Sequence, residues 1–318
     1  STAMTDAIAD GVLGAAWDGG IRYFDTAPWY GNTQSEHRVG RFLREKPRDA
    51  FILATKVGRV YKRPDAGFDF EASRWRKRWP GGLPFVPHFN YSADHILRSY
   101  EDSLGRLGLT RVDALTIHDL DPIHHPTEEG RDLGFRQLDH GGGFAALQAL
   151  KASGEIGAIG AGINVPGMIP RFLERFDLDY FIVAMPYTLL EQSALAEELP
   201  LCAARGASVI IGAPYASGIL ATGAVPGATY RYVPAEPDVM ERVSRIEVVC
   251  RDFDVPLKAA ALQFPLAHPT VVAVIPGADS AAQVNSNIAS IAHPIPPAFW
   301  SELKARELID KAAPVPEA

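Results

Sequence analysis

A regular alternation of short apolar runs with longer helical patterns is the feature that most constrains the fold. The runs are rich in β-branched residues and continuously apolar, which is typical of strands buried on both faces of a parallel sheet. There are seven of them: IRYFDTA, FILATKV, DALTIHD, IGAIGAGIN, YFIVAMPY, SVIIGAPY and VVAVIPG. Helical patterns lie between them, over 94–108, 141–153, 191–205 and 236–253. Strands that alternate with helices in this way predict βαβ units.

This alternation predicts an α/β protein, a (β/α)8 TIM barrel that forms a single domain over residues 1–318. A barrel needs eight strands, whereas the chain opens on a helical pattern, TAMTDAIADGVLGAAWDGG. We therefore expect the first strand to belong to a segment that precedes these residues. An open doubly wound sheet is the alternative, but that fold usually has a G-x-G-x-x-G motif in its first βα unit, and none occurs there.

Two connections, 58–93 and 120–142, are too long to be simple loops. Both follow strands at the end where barrel enzymes build their sites, so we expect them to shape a substrate pocket. The first contains the basic run RWRKRW at 74–79, which is either a solvated loop or part of a lid.

Composition excludes several classes of function. The chain has 318 residues, is 47% hydrophobic and carries a net charge of -7, which disfavours a broad nucleic-acid surface. No apolar run approaches the roughly 20 residues of a membrane span. The two cysteines, Cys202 and Cys250, lie in helical patterns without metal-ligand spacing, which suits a reducing compartment. We expect a cytoplasmic protein that acts on a small molecule; the sequence leaves the oligomeric state open.

Ionisable residues stand where three of the apolar runs end. Asp25, Lys56 and His118 occupy these ends, and Tyr30 follows Asp25 by five residues. Parallel strands bring their ends together, so Lys56 would be the cation that a buried Asp25 needs. A nearby cation should lower the pKa of Tyr30 and prepare it to exchange a proton. Because no nucleophile accompanies these groups, the chemistry they suit is hydride transfer, which requires a cofactor.

The same residues fall in blocks that resemble the aldo-keto reductase family over essentially the whole chain. The blocks are FDTAPWYG with Ser35, Glu36 and Gly40; ATK at 54–56; RSYEDSLGRLGLTRVDALTIHD at 98–119; and IPGADSAAQVNSNI at 275–288. The resemblance implies a (β/α)8 barrel and a nicotinamide cofactor extended across the strand ends. It also implies a catalytic tetrad of Asp25, Tyr30, Lys56 and His118, with Tyr30 as the acid/base.

The resemblance also implies cofactor contacts, some of which depart from the family pattern. Asn164 would bind the carboxamide, although Ile163 precedes it instead of serine. Ala184 replaces a usual glutamine, and Gly212 replaces the aromatic residue that stacks on the nicotinamide, for which Tyr215 is a candidate substitute. The remaining contacts are Ser217, Gly218 and Leu220 at the pyrophosphate, Gln283 and Asn287 at the adenosine, and Pro276, Gly277 and Asp279 in the same block.

The adenosine block and a second motif suggest the cofactor and substrate. PGADSAAQ contains no Lys or Arg, and Asp279 would repel a 2'-phosphate, so we expect NAD to be preferred over NADP. Residues 187–190, YTLL, resemble the branch that contains D-threo-aldose (L-fucose) 1-dehydrogenases and pyridoxal 4-dehydrogenases. That likeness implies oxidation of a cyclic hemiacetal to a lactone. Trp29 would form an apolar wall against the substrate ring.

Three alternatives remain. One is an NADPH-dependent general aldehyde or ketone reductase, and another is a cofactor-binding regulatory barrel with little turnover. The third is a metal-dependent barrel hydrolase, for which the potential ligands are His118, Asp119, Asp121, His124 and His125. We disfavour a metal, because side chains alternate along a strand and Asp119 should point away from His118.

Overall fold

The computed structural model describes residues 3–317, which form two compact units. Unit 1 runs to Gly162 and includes Ala278–Val284, whereas unit 2 comprises Ile163–Gly277 and the residues from Asn285 onwards. The single domain over residues 1–318 stays a prediction.

Unit 1 opens on a helix and then alternates strands with helices. Its elements are α1 (Asp6–Asp18), β1 (Tyr23–Asp25), α2 (Gln34–Leu43), β2 (Ile52–Val57), β3 (Arg59–Lys62), α3 (Arg74–Arg78), β4 (Val86–Phe89), α4 (Ala93–Leu107), β5 (Ala114–His118), α5 (Glu128–Leu138), α6 (Gly143–Ala152) and β6 (Ala158–Ile163), with a 3-10 turn at Arg48–Ala50.

Four strands of unit 1 pair in parallel, in the order β1, β2, β5, β6. The register sets Asp25 beside Ala54, Lys56 beside Thr116, and His118 beside Gly162. All three ionisable residues therefore lie at the carboxyl ends of neighbouring strands. The interiors of β2 and β5 are buried throughout, which explains their continuous apolarity.

Ser35, Glu36 and Gly40 anchor α2. The Ser35 and Thr26 hydroxyls lie 2.8 Å apart. The fully buried Glu36 carboxylate accepts hydrogen bonds from Thr55 Oγ1 at 2.6 Å and from Arg106 Nε at 2.6 Å. A Cβ at Gly40 would lie 2.0 Å from the carbonyl oxygen of Leu107 at the end of α4, so only glycine allows this close approach.

Unit 2 contains three parallel strands, β7, β8 and β11, with β8 in the centre, and a short antiparallel hairpin formed by β9 and β10. Its elements are α7 (Met168–Leu173), β7 (Tyr180–Val183), α8 (Glu198–Ala204), β8 (Ser208–Ile211), α9 (Ile219–Thr222), β9 (Thr229–Tyr230), β10 (Val233–Pro234), α10 (Pro237–Asp252), α11 (Leu257–Leu266), β11 (Val271–Val274), α12 (Ala281–Ile291) and α13 (Pro297–Ala305), with a 3-10 turn at Ala216–Gly218. The first four residues of α12 count with unit 1.

Each of the seven apolar runs contains a strand, as predicted. The helix predicted over 191–205 begins only at Glu198, because residues 191–192 are irregular and residues 193–197 form turns. The long connections are partly regular: β3, α3 and β4 lie in 58–93, and α5 lies in 120–142.

Cys202 and Cys250 are buried in α8 and α10. None of the helices within residues 3–317 has both the length and the apolarity to span a bilayer.

Candidate active site

Unit 1 brings the four residues of the predicted tetrad together. Asp25 ends β1, His118 ends β5, Lys56 is the penultimate residue of β2, and Tyr30 lies in the turn that follows β1. The side chains of Asp25, Lys56 and His118 are 7%, 2% and 6% exposed, so their charges act on one another with little screening by water.

Lys56 is the centre of this group. Its ammonium donates to Asp25 Oδ1 and, at 3.0 Å, to the carbonyl oxygen of Thr26. The Lys56 Nζ atom also lies 4.8 Å from the centroid of the Tyr30 ring. The Asp25 carboxylate and the Thr26 carbonyl therefore hold the ammonium beside the phenol.

Tyr30 and His118 meet edge to face. Their ring centroids are 5.9 Å apart, with an angle of 89° between the planes. The Trp79 ring also contacts the Tyr30 ring edge to face, with 6.4 Å between the two centroids. The phenol and imidazole are thus adjacent, with the Trp79 ring on one side and the Lys56 ammonium close by.

Burial shifts the pKa values of both Tyr30 and Lys56, but the net result differs between the two groups. It raises the pKa of Tyr30 to about 12, although the Lys56 ammonium opposes the rise. The lowered Tyr30 pKa expected from a neighbouring cation is therefore wrong, because loss of hydration outweighs the attraction to Lys56. For Lys56, burial lowers the pKa, but the negative charges of Asp25 and of an ionised Tyr30 raise it by more, so the pKa of Lys56 is raised overall. Lys56 thus remains an ammonium at neutral pH.

His118 is neutral at physiological pH. Burial holds the pKa of its imidazole well below the ordinary 6.5, and the charges of Arg59 and Lys56 reinforce the shift. Its backbone carbonyl accepts a hydrogen bond from the Tyr91 hydroxyl at 2.9 Å. A neutral imidazole can donate from one nitrogen and accept at the other, so His118 can orient a substrate oxygen.

Three tryptophans cluster beside Tyr30. The Trp29 ring meets Trp75 at 5.8 Å and Trp79 at 5.6 Å between centroids, both edge to face. Trp75 belongs to α3 and Trp79 follows it, so the connection 58–93 brings apolar surface next to the tetrad.

Arg59, at the start of β3, has no counterpart among the residues singled out from sequence. It is 3% exposed, and its guanidinium carbon lies 4.2 Å from the Trp29 ring centroid and 4.4 Å from that of Phe89. Its Nη2 donates to Asp119 Oδ2. The only available signal was a basic residue just beyond the end of an apolar strand.

Asp119 does not point away from His118, contrary to expectation. Its Oδ2 lies 3.4 Å from His118 Nε2 and 3.4 Å from His124 Nε2. The reason is that β5 ends at His118, and Asp119 adopts a left-handed backbone with φ of 55°, so side-chain alternation no longer applies.

The potential ligands of a metal partly converge here: donor atoms of Asp119, Asp121 and His124 lie within 4.8 Å of one another. Both carboxylates of this cluster already have partners in the protein. Asp119 binds Arg59, and Asp121 Oδ1 accepts from the amides of Ile123 and His124. We interpret the cluster as a hydrogen-bonded ion-pair network.

The predicted nicotinamide contacts of unit 2 lie after strands. Asn164 directly follows β6, and the amide of Ala184, which follows β7, donates to the carbonyl of Ile163 at 3.0 Å. Gly212 follows β8, where an added Cβ would come within 3.0 Å of Ile182 Cγ2. An aromatic residue at 212 would therefore require Ile182 to move.

Tyr215, the candidate substitute for the stacking aromatic, is joined to the predicted adenosine end. Its hydroxyl donates to Asn287 Oδ1 at 2.7 Å. Lys258 of α11 lies beside it, with Nζ 5.6 Å from the Tyr215 ring centroid and 2.8 Å from Ser286 Oγ. Sequence reasoning missed this cation, because it comes from a different helix than the PGADSAAQ block.

The predicted pyrophosphate loop has a strained backbone. Ala216 and Ser217 have φ of 47° and 65°, and Gly218 has φ of 111°. Ser217 Oγ accepts from the amide of Tyr232 at 3.0 Å, and the Ser217 carbonyl accepts from Thr229 Oγ1 at 2.8 Å. Left-handed non-glycine residues are typical of ligand clamps, and space for a Cβ is open at Gly218 and at Gly277, so the chain can approach a ligand closely there.

The remaining predicted contacts lie at and before α12. The Asp279 amide donates to Gln283 Oε1 at 3.0 Å, within the segment of unit 1 at Ala278–Val284. Leu220 is fully buried in α9, whereas Pro276 and Gly277 lie in the irregular segment that follows β11.

Comparison with models of protein families identifies the family to which this chain belongs. The model of the aldo/keto reductase family matches residues 1–307. The chain is a member of the aldo-keto reductase family. It is thus an oxidoreductase of a family that uses nicotinamide cofactors.

Two curated relatives are similar over almost the whole chain. A pyridoxal 4-dehydrogenase of Microbacterium luteolum is 38% identical over 310 residues, which cover 96% of this chain and 90% of that protein. A D-threo-aldose 1-dehydrogenase of a Pseudomonas species is also 38% identical, over 317 residues, with the same coverage of 96% and 90%. Both belong to the branch of aldo-keto reductases that the sequence resembles.

A solved aldo-keto reductase of Bacillus halodurans, in its holo form, superposes with a TM-score of 0.71 and 25% identity, and the match covers 98% of this chain and 90% of that one. The predicted fold class, the TIM barrel of the aldo-keto reductases, is confirmed.

Proposed function

We propose that this aldo-keto reductase oxidises a cyclic hemiacetal, an aldose such as L-fucose or pyridoxal, to a lactone with NAD. The observation that carries the proposal is the buried group in which Lys56 touches both Asp25 and the Tyr30 ring, with His118 neutral beside it. The two dehydrogenase relatives support the choice of substrate class.

Such an oxidation removes a hydride from the anomeric carbon and a proton from its hydroxyl, and leaves a carbonyl. A bound nicotinamide would accept the hydride. Tyr30 takes the proton, and in the reverse direction its phenol returns it. Lys56 opposes the rise that burial causes in the pKa of Tyr30 and so favours the phenolate that takes up the proton, and Asp25 keeps Lys56 in place.

The other residues of the site orient and enclose the substrate. His118 donates a hydrogen bond to the reacting oxygen, which aligns that oxygen with Tyr30. Trp29, supported edge-on by Trp75 and Trp79, offers an apolar wall to a sugar or pyridine ring and helps to exclude water.

Cofactor binding is assigned to the predicted contacts. Asn164 would hold the carboxamide, Ser217 and Gly218 the pyrophosphate, and Asn287 the adenosine. The strained backbone at 216–218 and the open space at Gly218 support this fit. Asp279 supports NAD, because its carboxylate would repel a 2'-phosphate. Two buried free cysteines support a reducing cytoplasmic setting.

The test is a panel assay. NAD or NADP reduction is followed by absorbance with L-fucose, D-arabinose, L-galactose, pyridoxal and simple alcohols. Mass spectrometry then identifies the product, a lactone from a hemiacetal or an aldehyde or ketone from a simple alcohol. NAD-dependent formation of a lactone from one of the hemiacetals is expected. Absence of turnover on all hemiacetals with either cofactor would contradict the proposal.

A second candidate, an NADPH-dependent aldehyde or ketone reductase, is favoured by one observation. Lys258 brings a positive charge to Ser286, next to Asn287, where a 2'-phosphate could be met. Substituting Lys258→Ala, with Lys304→Ala of α13, which is also half-buried, as a control, separates the two. Under the first proposal the ratio of kcat/KM for NAD over NADP stays above one in every variant. Under the second, wild type prefers NADP, and only Lys258→Ala loses that preference.

A further inference from the structure

Arg59 is a buried residue beside the tetrad to which the proposed reaction assigns no role. Its guanidinium carbon lies 4.2 Å from the Trp29 ring centroid and 4.4 Å from that of Phe89, and its Nη2 donates to Asp119. Its Nε and Nη1 atoms have no hydrogen-bond partner within residues 3–317. A guanidinium buried with two unsatisfied nitrogens is costly, which argues that the position serves more than stability.

Asp119 connects Arg59 to the tetrad. The carboxylate oxygen that accepts from Arg59 is the one that lies 3.4 Å from His118 Nε2 and from His124 Nε2. Without the guanidinium, this oxygen would be a strong acceptor for His118 and would favour its imidazolium form. His118 Nε2, which already lies 3.4 Å from this oxygen, would then donate to Asp119 and no longer to a substrate oxygen.

The geometry points to Arg59 as a positioning residue: its charge occupies Asp119 and leaves His118 to the substrate, and its plane fixes Trp29 as the substrate wall. Neither role requires Arg59 to touch the substrate. The charge acts on the protonation and orientation of His118. The plane acts on the Trp29 ring, which Arg59 and Trp75 both contact. Lys cannot replace Arg in the second role, because an ammonium has no plane to stack.

The charges that act on His118 are few. Asp119 attracts a proton to it, whereas Arg59, Lys56 and His124 oppose protonation, in addition to burial. Tyr30 faces its ring, and Asp25 is neutralised by Lys56. Removing Arg59 therefore removes an opposing charge and frees an attracting one at the same time, so both changes act in the same direction.

The first experiment titrates the histidines by NMR in the full chain without substrate, with His118→Gln used to assign the signal among the nine histidines. In Arg59→Gln, His118 is expected to titrate about 1 to 3 pH units higher than in wild type. In Arg59→Gln combined with Asp119→Asn, it should return to the wild-type position. An unchanged titration in folded Arg59→Gln would overturn the role of the charge. If Arg59→Gln does not fold, a double variant in which His118 titrates well above wild type overturns it instead.

The second experiment concerns the plane and rests on the proposed function. Arg59→Lys keeps the charge, so the His118 titration and kcat should stay near wild type. The KM of the hemiacetal substrate should rise roughly 2- to 30-fold, which corresponds to the loss of a cation–π contact with Trp29. An unchanged KM would overturn this role. Because the NMR titration needs no substrate, failure of the proposed function leaves the first experiment valid.

Discussion

The hydroxyl of Tyr91 donates to the backbone carbonyl of His118 at 2.9 Å and lies 3.0 Å from His125 Nε2. Tyr91 is 1% exposed, so its hydroxyl fixes the end of β5 from within the protein. In Tyr91→Phe the His118 carbonyl loses a buried partner. We expect the free energy of unfolding to fall by about 1–3 kcal/mol, measured by urea denaturation.

Tyr61→Phe is the matched control for this prediction. Tyr61 is also a buried tyrosine of unit 1, but its hydroxyl has no hydrogen-bond partner within residues 3–317. Its removal should leave stability unchanged or slightly raised. Equal losses in both variants would refute a specific role of the Tyr91 hydroxyl.

Tyr30→Phe tests the proton transfer. The ring and its contacts with His118 and Trp79 remain, whereas the exchangeable proton is gone. Turnover on the active substrate should fall by about 10² to 10⁴, with NAD affinity nearly unchanged by fluorescence titration. Tyr61→Phe again serves as control and should keep full activity. Wild-type turnover in Tyr30→Phe would remove Tyr30 from the mechanism.

His118 makes stability depend on pH. Its pKa in the folded protein is well below the ordinary 6.5, because burial disfavours the imidazolium. The unfolded chain therefore binds more protons below about pH 6.5, and the folded state loses stability as the pH falls through that value. Replacing the group by His118→Gln should flatten this part of the profile, measured by urea denaturation between pH 7 and 5, a range that brackets the ordinary histidine pKa.

The exposed His140 provides the comparison for the pH profile. His140→Gln should leave the wild-type slope intact. A profile of His118→Gln that is as steep as that of wild type would mean that other groups cause the acid sensitivity.

Gly40→Ala tests the contact between α2 and α4. The added methyl group would lie 2.0 Å from the Leu107 carbonyl oxygen, so the helices must separate. We expect a loss of about 1–3 kcal/mol in unfolding free energy, as for other overpacked sites. Gly105→Ala, in α4 with open space around the new Cβ, should instead be neutral or stabilising by up to about 1 kcal/mol.

The strands and the tetrad could be predicted because both depend on local pattern. Continuous apolarity marks strands buried on both faces, and an ionisable residue at such a strand's end stands out, as Lys56 and His118 do. Glu198 shows the limit for helices: composition predicted a start at 191, but the chain turns until 197.

Three features could not be predicted, each for a physical reason. The direction of Asp119 depends on a single left-handed φ after β5. The pKa of Tyr30 depends on burial depth, which a sequence does not contain. Arg59 and Lys258 act on residues distant in the chain, through contacts that have no periodicity.

All four tetrad residues precede residue 119, whereas the predicted nucleotide contacts begin at Asn164. The proposed acid/base group and the proposed dinucleotide contacts are thus encoded in separate stretches of the gene. A substitution in one stretch leaves the residues of the other unchanged, so the two sets can vary independently.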